Sequence, residues 1–398
     1  MHWLTFHWAT FNWIAGSILG LAWLSRIVEA AFGLPHIADI SRPEWDRRPA
    51  VPGIEPRVSI IVPARNEEES IGATLLQLLA LDYSNYEIIA VNDRSTDETG
   101  CKMKEVAASP DAHGLLNVIH IAELPSGWLG KTHAMWTAGL QATGDWLLFT
   151  DADVLFKTDA LRRAIAYAEA ERADHVVLFP RMIMKRPGEK MMIAFFQALF
   201  VFGHRPWKVA DPKARDHMGV GAFNLVRRSV YDAVGTYRAL RMEVLDDMKL
   251  GKVVKNAGLK QRNVFGDDLI SLRWAKGAFG IVNNLTKNFF AVLSFQWPRT
   301  VASIIGLGFL NLGPFLGVWL AHGWSRLPYA VALLSLFLIY YGMSVRSGVP
   351  SYYFFLHPIS TSLFMYTLFR SMAHTFANNG IVWRGTKYPL DELRKGMV

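Results

Sequence analysis

Apolar and polar positions are distributed very unevenly along this chain. Near the amino end, Trp8 to Leu24 is apolar apart from Thr10, Asn12 and Ser17, and Arg26 bounds the run. About 17–25 residues cross a bilayer, so this stretch predicts one spanning helix. A secretory signal peptide is the competing reading, but it requires a basic start, and residues 1–25 contain no Lys or Arg, which favours an anchor. Trp3, Trp8, Trp13 and Trp23 suit interfacial positions and equally suit an ordinary core. Towards the other end, Val301–Leu320, Leu327–Val345 and Tyr352–Phe369 each read as a spanning segment. Arg326 with Pro328, then Arg346, Gly348 and Pro350, separate them. One span before the centre and three after it would carry the tail outside. That tail holds Arg384, Lys387, Arg394 and Lys395, contrary to the rule that positive charge stays inside.

Between the ends the pattern changes. Val58–Val62, Glu87–Val91, Asn117–Ile121 and Trp146–Thr150 are short strand-like runs, and Ser70–Leu81 has apolar residues at helical spacing. Strands spaced by helices predict an α/β domain with a parallel sheet, whose ligands bind beyond the carboxyl ends of the strands. Two further stretches suit a bilayer surface. Met191–Phe202 has Gln197 as its single polar residue and basic residues on both sides. Asn283–Trp297 carries Lys287 among Phe289, Phe290, Leu293 and Phe295. Both predict interfacial or re-entrant helices, with core helices as the alternative. The expected division is an anchor at 1–30, a linker at 31–56, the α/β domain at 57–280, an interfacial helix at 281–298, spanning segments at 299–371 and a basic tail at 372–398.

Composition narrows the function. The 398 residues accommodate one soluble domain and well over a hundred residues besides. Hydrophobic residues make up 51%, concentrated at the ends, as expected of an integral membrane protein. A net charge of +8 suits anionic partners. Nucleic acid is not one of them, because no basic run is interleaved with stacking aromatics. Cys101 is the only cysteine, which excludes an internal disulfide and a cysteine-based zinc cage. Arg26, Arg42, Arg47 and Arg48 follow the first span and put the central domain on the cytoplasmic side of a bacterial-type plasma membrane. Spans without an ionisable residue at mid-membrane argue against a transporter.

The candidate chemistry lies where strands end. Asp151 and Asp153 follow the apolar run 147–149. Carboxylates two apart can address a hard divalent cation that bridges a diphosphate, or simply cap a helix. Asp93, in Asn92-Asp93-Arg94-Ser95-Thr96-Asp97, can accept hydrogen bonds from a base or ribose, although such a turn is often only a turn. Pro63-Ala64-Arg65-Asn66-Glu67 ends the first strand, where Arg65 and the amides can meet a nucleotide. Asp246 and Asp247 open a helix, either as a base for an acceptor hydroxyl or as a favourable N-terminal charge pair.

Taken in order, these four motifs resemble the family 2 glycosyltransferases, from Val58 to about Ala291. The resemblance implies the GT-A fold, flanked here by transmembrane helices, and inverting transfer of a sugar from a nucleotide donor. It implies Asp93 at the uracil end of the donor, Asp151 and Asp153 flanking diphosphate and metal (Mg2+ or Mn2+), Asp247 as general base and Asp246 on the acceptor side. Pro63, Ala64, Arg65 and Glu67 fall on the nucleotide side, and Gly130-Lys131 is similar to the family's Gly-Lys segment near the donor. A narrower resemblance, to membrane-bound enzymes of hopanoid and carotenoid-ester biosynthesis and to ceramide glucosyltransferases, rests on 286–291 and on Val382-Trp383-Arg384-Gly385-Thr386-Lys387-Tyr388. It implies a lipid acceptor. Processive synthases carry Gln-x-x-Arg-Trp. Here Arg273-Trp274 stands on the donor side with Ile270 in the glutamine position, which favours transfer of one sugar. A processive synthase and an inactive scaffold of the same fold are the alternatives.

Overall fold

The computed structural model describes residues 2–48, 55–112 and 114–397, with the side chains of residues 2–6 left aside. Residues 49–54 of the expected linker, the last residue of the tail and the side chain of Trp3 lie outside the described set. The chain divides into two compact units. One comprises 37–183, 208–273 and 380–398; the other comprises 1–36, 184–207 and 274–379. This differs from the expected linear division. Residues 184–207 group with the apolar helices, and the tail from Gly380 groups with the α/β body.

The α/β unit contains β1 (Val58–Ala64), β2 (Tyr86–Asp93), β3 (Leu116–Ile121), β4 (Trp146–Phe149), β5 (Leu155–Phe156) and β6 (His175–Leu178). There follow β7 (Arg181–Met182), β8 (Asn224–Arg227), β9 (Gln261–Val264), β10 (Ile270–Leu272), β11 (Gly380–Trp383) and β12 (Thr386–Pro389). Among the described residues a seven-stranded sheet runs β3-β2-β1-β4-β8-β6-β9. All four strands predicted from the sequence are present and mutually parallel. The sheet as a whole is mixed, because β8 is antiparallel to both β4 and β6. Four residues beginning with Asn224 carry too little periodicity for that strand to be foreseen.

β1 is buried at every position, as a β-branched strand at the centre of a sheet should be. Its proline is tolerated because β4 pairs only as far as Ile61↔Phe149, so Pro63 has no partner strand on that side. The chain moves from β1 outward to β2 and β3, then returns to β4 on the other side. This reversal opens a crevice at the carboxyl ends of β1 and β4. The antiparallel β8 enters from the same edge, since Phe149 pairs with Asn224. The segment just before β8 therefore reaches the crevice as well.

The expected linker is packed as far as it is described. Ile40 is fully buried, and Asp39 bridges to Phe265. Arg163 donates to the carbonyls of Ile40, Ser41 and Arg42 at 3.3, 3.2 and 2.9 Å.

In the helical unit, three helices among the described residues are long and apolar enough to cross a membrane: His7–His36, Trp297–Leu320 and Gly323–Ser347. The expected span Tyr352–Phe369 is not among them. Residues 351–356 form a 3-10 turn, and the helix His357–Ala377 that follows buries Ser360, Thr361, Thr367, Ser371 and Thr375. Its polar face lowers its hydropathy below that of a span. His357 donates through Nε2 to Asn311 at 3.1 Å and accepts from the Tyr340 hydroxyl at 2.9 Å, a satisfied interior contact. Trp8 and Trp13 are exposed, whereas Trp23 is fully buried and donates to the Leu310 carbonyl at 2.9 Å. The apolar stretch at 191–202 sits inside the helix Pro187–Gly203, with Met192, Ile193, Phe195, Ala198 and Val201 buried. The stretch at 283–297 breaks into the helices Gly277–Thr286 and Phe289–Val292, ending where Ser294 and Phe295 take positive φ.

Candidate active site

Three loops leave the carboxyl ends of β1, β2 and β4 and bring the predicted motifs to one edge. Pro63 and Ala64 are buried at the end of β1, and Arg65 and Glu67 lie in the turn beyond it. The first two loops are tied together. Glu67 donates its amide to Thr99 Oγ1 at 2.7 Å, and Asp97 accepts from the Glu68 amide at 3.2 Å and the Thr99 amide at 3.1 Å. Asp93 is 3% exposed, and both its oxygens accept from Arg94, at 2.7 and 2.9 Å.

The helix Gly130–Gln141 begins against this pair. A Cβ at Gly130 would lie 2.3 Å from Asp93 Oδ2 and 2.7 Å from Arg94 Nη2, so any larger residue would push on this ion pair. The next residue, Lys131, points into a small cleft that Asp151, Asp246 and Asp247 also line, together with Tyr237 and Gly221. Its Nζ lies 2.8 Å from Asp151 Oδ1 and 3.5 Å from Asp246 Oδ2. Burial opposes the lysine's charge, but Asp151, Asp246 and Asp247 outweigh it and push its pKa well up. Burial pushes the Asp246 carboxyl up to about 7 against the pull of Lys131, and it raises Asp247 too. Asp153 is pushed up to about 7, first by burial and then by Asp151 and Glu67. These acids titrate as a group, with Lys131 set among Asp151, Asp246 and Asp247.

Asp246 and Asp247 open the helix Asp246–Asn256, as expected. The Met248 amide donates to Asp247 Oδ1 at 2.7 Å, and the Gly221 amide donates to the same carboxylate. The acid pair is thus held at a helix start and by the loop that precedes β8.

That loop, residues 218–223, carries no residue picked out from the sequence, yet it organises the site. The Asp151 amide donates to the Gly221 carbonyl at 3.0 Å. A Cβ at Gly221 would lie 2.5 Å from Asp151 Oδ2, and one at Gly219 would lie 1.8 Å from the Asp247 carbonyl oxygen. From below, Gln261 fixes the loop by accepting from the Met218 amide at 2.8 Å and donating to its carbonyl at 3.0 Å. Gln261 also donates to His175 Nδ1 at 2.7 Å, and His175 Nε2 donates to Asn224 Oδ1 at 2.7 Å. The visible signal was the closely spaced glycines of Met218-Gly219-Val220-Gly221.

Two predicted donor residues are not among those that line the cleft. Arg273 follows β10. Trp274 packs edge-on against Phe196 at 4.9 Å within the helical unit, and its carbonyl accepts from Asn284. Neither lines the cleft.

Asp151 and Asp153 are hard oxygen donors of the kind Mg2+ or Mn2+ prefers, and burial first, then the neighbouring Asp151, raises the pKa of Asp153. Among the described residues no three His, Cys, Asp or Glu side chains form a metal-binding group. Such ions are commonly held by one or two carboxylates plus substrate phosphates, so this pair fits a metal that arrives with a diphosphate.

Residues 59–248 match the family described as Glycosyl transferase family 2. Those residues form a family 2 glycosyltransferase domain. The 4,4'-diaponeurosporenoate glycosyltransferase of Staphylococcus aureus strain MRSA252 is 24% identical over 344 residues, spanning 84% of this chain and 89% of that protein. Its counterpart in strain USA300 is 24% identical over 343 residues, with the same shares covered. Among solved structures, a mannosyltransferase from Pyrobaculum calidifontis in complex with GDP-Man and Mn2+ superposes with a TM-score of 0.52. It is 18% identical and covers 92% of this chain and 99% of its own. That likeness supports the GT-A fold of the α/β unit.

Proposed function

We propose that this glycosyltransferase moves a single sugar, with inversion, from a nucleotide diphosphate sugar to a lipid-like acceptor at a membrane surface. One observation carries the reading: Lys131, Asp151, Asp246 and Asp247 share one cleft at the switch point of the sheet. Asp247 is the general base. It is half-buried, anchored by two amides and raised in pKa, which suits it to take a proton from an acceptor hydroxyl. Lys131 and Asp246 keep the base oriented and the cleft near electroneutral. Asp151 and Asp153 would hold the divalent ion, which supplies charge neutralisation for the departing nucleoside diphosphate. The named relatives from S. aureus support a carotenoid-type acceptor. Ile270 supports single transfer, because the position that is glutamine in processive synthases is a buried apolar residue of β10.

We infer the topology from the tail. Residues 380–398 pack in the same unit as the α/β body, so both lie on one side of the bilayer. The chain between 273 and 380 then crosses an even number of times. Two helices in that interval qualify as spans, which keeps the tail and its basic residues cytoplasmic and removes the conflict that a third span would create.

The test is turnover by purified protein in lipid nanodiscs, with a panel of nucleotide sugars, Mg2+ or Mn2+, and labelled lipid extracts. Metal-dependent release of nucleoside diphosphate that is abolished in Asp247→Asn is expected. Failure of every donor to bind or turn over would overturn the reading.

A further inference from the structure

The C-terminal hairpin is built into the α/β unit in a way that the reaction as described does not use. β11 and β12 are joined by Arg384-Gly385, closed by the pair Trp383↔Thr386. Both turn residues have positive φ, +47° and +77°. This is the two-residue type I′ hairpin turn, which Asn-Gly satisfies best. An arginine in that left-handed position costs about 1 kcal/mol of backbone strain, so the turn itself does not call for one.

What the hairpin touches is specific. At its tip, the Arg384 guanidinium donates to the Arg65 carbonyl and to the Glu67 carboxylate. Arg65 Nη1 in turn donates to Thr386 Oγ1 at 3.0 Å, while Arg65 Nε is buried with no hydrogen-bond partner. Further along, the Tyr388 hydroxyl accepts from the Gly130 amide at 3.1 Å and bonds to Arg94, the residue that grips Asp93. The hairpin therefore meets the loops after β1 and β2 and the start of the helix that carries Lys131. Arg384 also acts electrostatically on Asp153. A planar guanidinium on Glu67 and within electrostatic reach of Asp153, with the half-buried, underused guanidinium of Arg65 in the same loop, is an arrangement suited to holding phosphate oxygens in a bidentate manner.

We propose that the C-terminal hairpin is a wall of the donor site and that Arg384 is a diphosphate-binding residue. Its guanidinium exchanges the Glu67 carboxylate for phosphate oxygens of the donor. Tyr388 is a positioning residue that acts on Asp93 through Arg94. This rests on the nucleotide-sugar reading above. It gives the tail a role in binding that the bare family motifs, all upstream of residue 275, do not.

The experiment uses the full chain in nanodiscs with Mn2+, measuring the affinity of uridine and guanosine diphosphates and of the matching nucleosides by calorimetry. Arg384→Asn suits the purpose, because Asn favours the turn while removing the cation. Loss of a charged hydrogen-bond pair to phosphate should raise the diphosphate Kd by ~10-fold or more. The matching nucleoside should bind as before, and Arg384→Lys should recover part of the loss. An unchanged diphosphate Kd overturns the proposal. An equal loss for diphosphate and nucleoside also overturns it, because the arginine is then only a structural staple. If wild type binds neither diphosphate, the nucleotide-sugar reading fails, and this proposal fails with it.

Discussion

Gly219→Ala is the sharpest test of how this site is assembled. The φ of Gly219 is not in the left-handed region, so the added methyl is judged on space alone. It would sit 1.8 Å from the Asp247 carbonyl oxygen and 2.2 Å from its carbon, whereas ordinary contact begins near 3.4 Å. The obstacle is backbone, so no side chain can rotate away. A retreat of the helix would also undo its packing on the loop at Gly251, where a Cβ would lie 1.9 Å from the Met218 carbonyl oxygen. Relief needs a separation of roughly 1.5 Å between loop and helix start, more than the ~1 Å misplacement that costs about 10²-fold in rate. Overpacking of this kind also costs about 1–3 kcal/mol in stability. The assay is sugar transfer and thermal unfolding of Gly219→Ala beside Gly72→Ala, a helical glycine whose Cβ position is open. We expect kcat to fall at least ~100-fold in the first and no loss in the second. Wild-type turnover and stability in Gly219→Ala would refute the claim that backbone contact places Asp247.

Two further outcomes follow from the interior. His175 is fully buried and its pKa is pushed down to about 4 by burial. A depressed histidine favours folding above its unfolded value near 6.5 and loses that advantage as pH falls toward 4, about 3 kcal/mol in all. Asp153 and Asp246, raised to about 7, change with the opposite sign. The quantity to measure is therefore the stability gap between wild type and His175→Gln, which should narrow from pH 6.5 to 4; a constant gap would contradict it. Arg163→Met should release the segment after Ile37, because three carbonyls and the Asp46 carboxylate lose a buried donor. A cost of roughly 2–4 kcal/mol is expected, read as faster tryptic cleavage after Arg47, since Arg42 and Arg48 each precede a proline. Cleavage at the wild-type rate would show that other contacts hold this segment.

Much of the architecture could be read from residues close together in the chain. β1, β2, β3 and β4 announce themselves by short β-branched or apolar runs that end in polar turns, and parallel pairing sends those turns to one edge. Asp93, Asp151 and the pair Asp246-Asp247 were recognisable because strand ends and helix starts are where carboxylates are stable and useful. The long apolar helices were recognisable for the equally local reason that composition alone suits them to lipid. What lay beyond the sequence depends on partners far apart in it. Nothing near Lys131 predicts that Asp246 will stand 3.5 Å from it, and nothing near Glu67 predicts Arg384, 317 residues later. The glycines at 219 and 221 gain their meaning only when an acid motif is pressed against each. The helix His357–Ala377 reads as a span until its buried serines and threonines are seen. Local chemistry decides which residues can serve, because propensity and turn geometry act over a few positions. Packing decides which of them meet, because close approach and charge pairing depend on the whole chain having already folded.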